Sequence, residues 1–237
     1  MKTLLIIGAS SNIGVKLIKK VSESYECVWA HYLHWNDELE ELKKLLGEKI
    51  HFVCADLFQL TEIEKMISVI KESNFLPDHI VFFPMTRIKA QNFTKLTLKD
   101  YDNGWDLSIR SSIILSQAFL PKMKKNKYGK LIFMLSSVTS NNPPKYESAY
   151  ITVKYALLGF MKSLASEYAQ NGICINGVSP DMIQTKFISE LPRLLVEQYA
   201  ESKPQKRILN VDEVIPTFEF LLSEGADKIN GENIIIQ

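Results

Sequence analysis

Residues 3–18 read TLLIIGASSNIGVKLI. An aliphatic run stops at Gly8, and apolar residues at helical spacing follow Asn12 (Ile13, Leu17, Ile18, Val21). That pattern is a strand, a tight turn and a helix. In the turn GASSNIG, Gly8 and Gly14 stand six positions apart, and Asn12 occupies the place of a third glycine in a dinucleotide-binding turn. A pyrophosphate needs bare backbone N–H groups at a helix N-terminus and no side chain in the way. Gly8 closes the strand, and Gly14, one turn into the helix, lets helix and strand approach. Ser10, Ser11 and Asn12, followed by Ile13, supply polar caps. Asn is the residue after glycine that best tolerates a left-handed backbone. The same residues suit an ordinary capped strand-to-helix turn, so the turn alone leaves both readings open.

Outward from this turn, short apolar runs alternate with amphipathic stretches. The strands expected are 3–7, 27–32, 50–54, 79–83, 130–135, 173–178 and 233–236. Most are continuously apolar, which suits strands covered on both faces in a parallel sheet. Helices are expected over 13–23, 36–46, 61–73, 100–126 and 148–169. The alternation predicts a doubly wound α/β fold, with no linker or repeat dividing the chain. Residues 181–210, with Pro192 and Pro204, read as a helical insertion or lid.

The bulk numbers exclude several classes. The chain has 237 residues, 46% hydrophobic and 23% charged, with net charge +1. No basic footprint points to nucleic acid or an acidic membrane. Cys27, Cys54 and Cys174 are far apart in or beside apolar runs and read as buried thiols. The four histidines show no ligand spacing, so no metal is expected. The N-terminal apolar run is too short for a signal sequence or a membrane span, and a cytoplasmic protein is expected.

Three further features carry chemistry. Asp56, followed by Leu57 in VCADL, ends the third strand, where a carboxylate can accept from an adenine amino group or cap the next helix. Tyr150 and Lys154 share one helix face. An ammonium beside a phenol lowers the phenol's pKa from about 10 and equips it for proton transfer. A Tyr–Lys pair at this spacing arises by chance, and Tyr199–Lys203 is a second one. The first differs in context: Ser137 ends the strand KLIFMLSS thirteen residues before Tyr150, at a strand end where open α/β sheets bind ligands.

Along nearly its whole length the chain resembles the classical short-chain dehydrogenase/reductase family, in its 3-oxoacyl-carrier-protein reductase-like branch. GASSNIG, CADL, YGKLIFMLSSVTS, YITVK and YAQNGICINGVSPDMIQT carry the likeness. The resemblance implies a seven-stranded Rossmann-type sheet in the order 3-2-1-4-5-6-7. Residues 1–237 would form one dinucleotide-binding domain with a substrate lid over about 181–210. It implies hydride transfer between NAD(P)(H) and a small-molecule carbonyl or alcohol, reducing a ketone or 3-oxoacyl group. Tyr150 would be the general acid, Lys154 would hold the nicotinamide ribose, and Ser137 would bond the substrate oxygen. Pro180, Ile183 and Thr185 would frame the nicotinamide, and Ser108 would take the place of the helix asparagine that anchors a relay water. It also implies a homodimer or homotetramer through the helices carrying Trp105, Ile113, Phe160 and Leu164.

The chain departs from the family at Asn12, at FFPM (82–85) in place of a polar Asn-Asn-Ala-Gly, at Ser108, and at Asp181 in place of glycine. A divergent enzyme is expected. The rivals are a non-catalytic dinucleotide-binding sensor and a structural partner subunit that keep the fold. No acid ends the second strand at AHYLHWND, Asp37 comes late, and family habit tips the cofactor slightly to NADP(H) over NAD(H), with His34 near its phosphate. Arg87, Lys89, Lys95, Lys186 and Arg193 offer a basic rim for a carrier-protein thioester, a nucleotide-sugar or a carboxylate. Asp181, Glu190 and Glu197 interleave with them, as on an ordinary solvated surface.

Overall fold

The computed structural model describes residues 2–140 and 143–237. The strands are β1 (Thr3–Ile7), β2 (Cys27–Tyr32), β3 (Ile50–Cys54), β4 (His79–Phe82), β5 (Gly129–Met134), β6 (Ile173–Pro180) and β7 (Asn233–Ile236). They form one parallel sheet in the order β3-β2-β1-β4-β5-β6-β7, a Rossmann-type α/β fold. Four strands have the bounds expected from the sequence, and the other three shift by one or two residues.

Successive residues of β1 face opposite sides, which explains its unbroken apolar run. Leu4 and Ile6 pack with Leu17 and Ile18 of α1 (Asn12–Val21) and Phe218 of α8 (Val211–Leu222). Leu5 and Ile7 pack on the other face with Ile63 of α3 (Leu60–Glu72), Phe119 of α5 (Ser111–Asn126) and Met161 of α6 (Ser148–Tyr168). Each such fully buried side chain contributes about 1.5–3 kcal/mol. The remaining helices are α2 (Asp37–Leu46), α4 (Leu98–Gly104) and α7 (Arg193–Glu201).

Two expectations are corrected. The single helix over 100–126 is instead α4, a π-helical turn (Trp105–Arg110) and α5. The wide turn falls where a Cβ on Gly104 would come within 2.8 Å of Val153 on α6, and where the loop after β4 receives the Ser108 hydroxyl. Cys54 is exposed, whereas Cys27 and Cys174 are buried. Cys54 ends β3, an edge strand with only β2 beside it. Among the described residues no helix is long and apolar enough to cross a membrane, and no cluster of side chains suits a metal ion.

Candidate active site

The glycine turn connects β1 to α1 at the carboxyl edge of the sheet, beside the point where strand order reverses between β1 and β4. Gly8 has φ +85°, which a side chain would strain. A Cβ on Gly14 would lie 2.8 Å from the Gly8 carbonyl oxygen, so only glycine allows this approach of helix to turn. The Ser11 hydroxyl accepts from Gly14 N at 3.1 Å and donates to the Gly8 carbonyl at 2.8 Å.

His31, one of the four histidines with no ligand spacing in the sequence, staples this turn. Its Nε2 lies 3.0 Å from the Ala55 carbonyl and must donate, so Nδ1 accepts from Gly8 N at 3.1 Å. Burial lowers its pKa, which keeps the ring neutral and the staple intact. Asn36 donates from Nδ2 to the Ser10 carbonyl and caps α2 with Oδ1. Asn12 accepts at Oδ1 from Lys186 N at 3.1 Å and so ties the turn to the segment that follows β6. The first N–H groups of α1 have no partner within the helix, and Asn12 and Ile13 line the cavity that opens there.

That cavity, of about 960 Å³, runs from Gly8 to Tyr199. Gly8, Ser10, Ser11, Asn12, Ile13, Asp56 and Leu57 line it, as do Ser137, Tyr150, Lys154, Pro180 and Ile183, with Thr185 beside the Lys186 that bonds Asn12. Asp56 spends one carboxylate oxygen on Phe58 N, at 2.9 Å. Phe83, Pro84 and Met85 form an apolar wall in place of the polar shelf. Phe82 does not obstruct the cavity, because it is buried against Phe133 with ring centroids 4.7 Å apart.

Three expected residues lie off the lining. Gly14 acts by its close packing alone. His34 is exposed on a turn that Asn36 pins, and Leu33 lines the cavity instead. Ser108 is buried and donates its hydroxyl to the Pro84 carbonyl at 2.7 Å, so that hydrogen is committed within the protein.

At the other end, α6 carries Tyr150 and Lys154 on one face. Lys154 is 2% exposed, donates to the Met134 carbonyl at 2.8 Å, and lies 5.6 Å from the Tyr150 ring centroid. Burial lowers its pKa to about 7. For Tyr150, burial raises the pKa, the Ser136 hydroxyl opposes this, and Glu147 and Tyr199 add to the rise. The expected depression of the phenol by Lys154 is therefore not what the fold produces, since desolvation dominates both groups.

Ser137 faces another way, toward Asp181. Burial pushes the Asp181 carboxyl up, but Lys203, Ser137 and Tyr199 outweigh it and hold the group below its usual range. Lys203 Nζ sits 2.6 Å from Asp181, the Tyr199 hydroxyl donates to it at 2.9 Å, and the ammonium rests 4.3 Å from the Tyr199 ring centroid. The second Tyr–Lys pair thus clamps the acid that replaces the family glycine. The basic rim is largely neutralised: Arg87 pairs with Glu190, Lys89 with Asp100, Lys186 with Glu38 and Arg193 with Glu197.

A parallel sheet with a glycine-built helix N-terminus at its switch point, opening into a cavity walled by tyrosine, lysine and serine, defines a dinucleotide-binding oxidoreductase architecture. A family model described as enoyl-(acyl carrier protein) reductase matches residues 8–237. The chain is 30% identical to the oxidoreductase UcpA of Salmonella typhimurium, covering 99% of this chain and 92% of that one. It is 28% identical to the 3-oxoacyl-[acyl-carrier-protein] reductase FabG of Aquifex aeolicus, covering 98% and 94%. Among solved structures it is similar to a 4-hydroxyisoleucine dehydrogenase complexed with NADH (TM-score 0.90, 23% identity, 100% and 97% covered). It is also similar to ElxO with NADP bound (TM-score 0.86, 20% identity, 99% and 96% covered). These two structural likenesses bear on the fold. The chain belongs to the short-chain dehydrogenase/reductase family and is an NAD(P)-dependent oxidoreductase.

Proposed function

We propose that this protein reduces a small-molecule carbonyl to a secondary alcohol, with NADP(H) as the preferred cofactor and Tyr150 as the proton donor. One observation carries the reading: Tyr150, Lys154, Ser136 and Ser137 wall the same cavity that begins at the glycine turn. The turn fits a pyrophosphate, since a Cβ at Gly14 would collide with the Gly8 carbonyl and the first N–H groups of α1 are free of helix bonds. When bound, the nicotinamide supplies or accepts the hydride.

The chain's own residues do the rest. His31 holds the turn, and Lys154 would hold the ribose hydroxyls. Burial keeps the Tyr150 phenol protonated at neutral pH, which suits a donor to a carbonyl oxygen. An ammonium on Lys154 would stabilise the phenolate left behind. Ser136 is the hydroxyl beside the phenol, and Ser137 bonds the substrate oxygen by turning from Asp181. Pro180, Ile183 and Thr185 would frame the nicotinamide, with residues 181–210 as the lid. The absence of a carboxylate at the end of β2 supports NADP(H): the first acid beyond it, Asp37, already belongs to α2, and Glu38 after it pairs with Lys186. The ion-paired rim favours a small free substrate over a carrier-bound thioester. Half-exposed Trp105 and Tyr155 beside partly buried Ile113, Phe160 and Leu164 support a homo-oligomer.

Fluorescence titration with NADPH and NADH tests the reading. Binding of NADPH tighter than NADH is expected, followed by NADPH oxidation with a ketone panel. Absence of binding overturns it. Binding without turnover would favour a non-catalytic sensor, a reading that the commitment of Ser108 to Pro84 supports.

A further inference from the structure

Glu147 immediately precedes α6 and lines the cavity. It is 6% exposed. At the N-cap position its side chain makes no cap hydrogen bond, although Ser, Asp or Asn would serve there at no such cost. Among the described residues no donor lies within hydrogen-bond distance of its carboxyl, and no cation lies within ion-pair distance. The neighbouring cations are committed elsewhere: Arg87 to Glu190, Lys186 to Glu38, Lys203 to Asp181, and Lys154 to the Met134 carbonyl. Lys145, exposed and also on the lining, makes no ion pair among the described residues. A buried acid with no counter-charge either takes up a proton or is ready to be met by a cation. Its pKa is raised to about 7 by burial alone, in keeping with that isolation.

We infer that Glu147 is a specificity residue that binds an ammonium group on the substrate, so the preferred substrates are amino ketones and the matching amino alcohols. The inference rests on the oxidoreductase reading of this cavity and deepens it. A neutral hydroxyl could donate one hydrogen bond to Glu147 but would leave its charge uncompensated; an ammonium does both. Glu147 lies one helical turn from Tyr150, where side chains three apart are neighbours at about 5–6 Å between Cβ atoms. The amine therefore belongs within a few bonds of the carbon that reacts. Phe187, whose ring centroid lies 6.2 Å from that of Tyr150, and Ile188 and Leu195 add apolar lining to the cavity for the rest of a compact substrate.

The test titrates the full chain, with and without saturating NADPH, using 1-amino-2-propanol, 1,2-propanediol and 2-butanol, with heat of binding as the readout. At pH 8 the amine is expected to bind at least tenfold tighter than both neutral alcohols. Glu147→Gln should erase that advantage and leave the NADPH titration in place, which also reports that the variant is folded. Glu147→Asp should restore part of it. The advantage should shrink as pH falls from 8 to 5.5, because the carboxyl takes up a proton. Equal binding of the three alcohols overturns the inference, as does an amine preference that survives Glu147→Gln. Failure of NADPH to bind overturns the oxidoreductase reading instead, and the titrations without cofactor still decide the role of Glu147.

Discussion

The two edges of the sheet differ in how completely they satisfy buried polar groups. At the amino edge, His79 sits between two phenols, with Nδ1 2.6 Å from the Tyr25 hydroxyl and Nε2 2.8 Å from that of Tyr128. Asp78 accepts from Thr3 N at 3.0 Å and pairs with Lys122. Lys130, buried within β5, pairs with Asp227 at 2.6 Å and donates to the Ser223 carbonyl. Every one of these groups is answered inside the protein. At the carboxyl edge, Glu147 has no partner among the described residues, and Lys154 makes one bond for three donors. The same desolvation acts at both edges. The amino edge compensates each of these groups; the carboxyl edge compensates His31 and Asp181 but leaves Glu147 and most of the Lys154 ammonium to the cavity.

The largest break in this comparison should come from Tyr150→Phe. Turnover should fall roughly 10²–10⁴-fold. The cofactor titration and the melting temperature should stay near those of the parent, since the lost hydroxyl belongs to the edge that does not hold the fold together. His79→Phe should do the reverse. It strands the Tyr25 and Tyr128 hydroxyls and should cost about 1–3 kcal/mol in urea denaturation, with little change in NADPH affinity.

Acid should separate the edges without mutation. Burial, aided by Lys130, Lys2 and Lys122, lowers the His79 pKa from 6.5 to about 3. The unfolded chain therefore binds a proton below 6.5 that the folded chain refuses. Stability is full above that pH and is lost as pH falls toward about 3, with roughly 2 kcal/mol gone at pH 5 from His79 alone. His31 adds to the loss in the same direction. Denaturation midpoints between pH 7.5 and 5 should show the slope, and His79→Phe should flatten it.

A smaller effect is expected from Lys203→Met. Asp181 would keep Tyr199 and Ser137 but lose its counter-ion, so its carboxyl should titrate higher. The Michaelis constant for substrate should rise several-fold, because Asp181, buried on the cavity lining, is left without its counter-ion. The smallest should be Asn12→Gly, which restores the glycine of the family turn and removes the bond to Lys186. Cofactor affinity should shift by less than about tenfold, readable in the NADPH titration.

Much of this molecule is legible in its sequence. The strands stand out because each is apolar on both faces, and the Ser137–Tyr150–Lys154 order places three groups on one cavity. What escapes is set by where backbone returns from far away. Cys54 reads as buried until the sheet order makes β3 an edge. His34 reads as a ligand contact until Asn36 fixes the turn that carries it outward. Ser108 reads as a water anchor until the loop after β4 claims its hydroxyl. Tyr199 and Lys203 look like a chance pair because nothing local reveals that residues beyond β6 fold back onto Asp181. Glu147 gives no signal in the sequence because spacing says nothing about a missing partner.

The bond from Asn12 to the backbone of Lys186 has one more consequence. The side chain that stands in the place of a glycine in the turn also ties that turn to the segment after β6, the lid of the proposed reading. A nucleotide settling on the turn must either keep that tether or release it, and in both cases its arrival is felt some way down the chain. Amide hydrogen exchange around Lys186 should therefore respond to nucleotide, and Asn12→Gly should weaken that response.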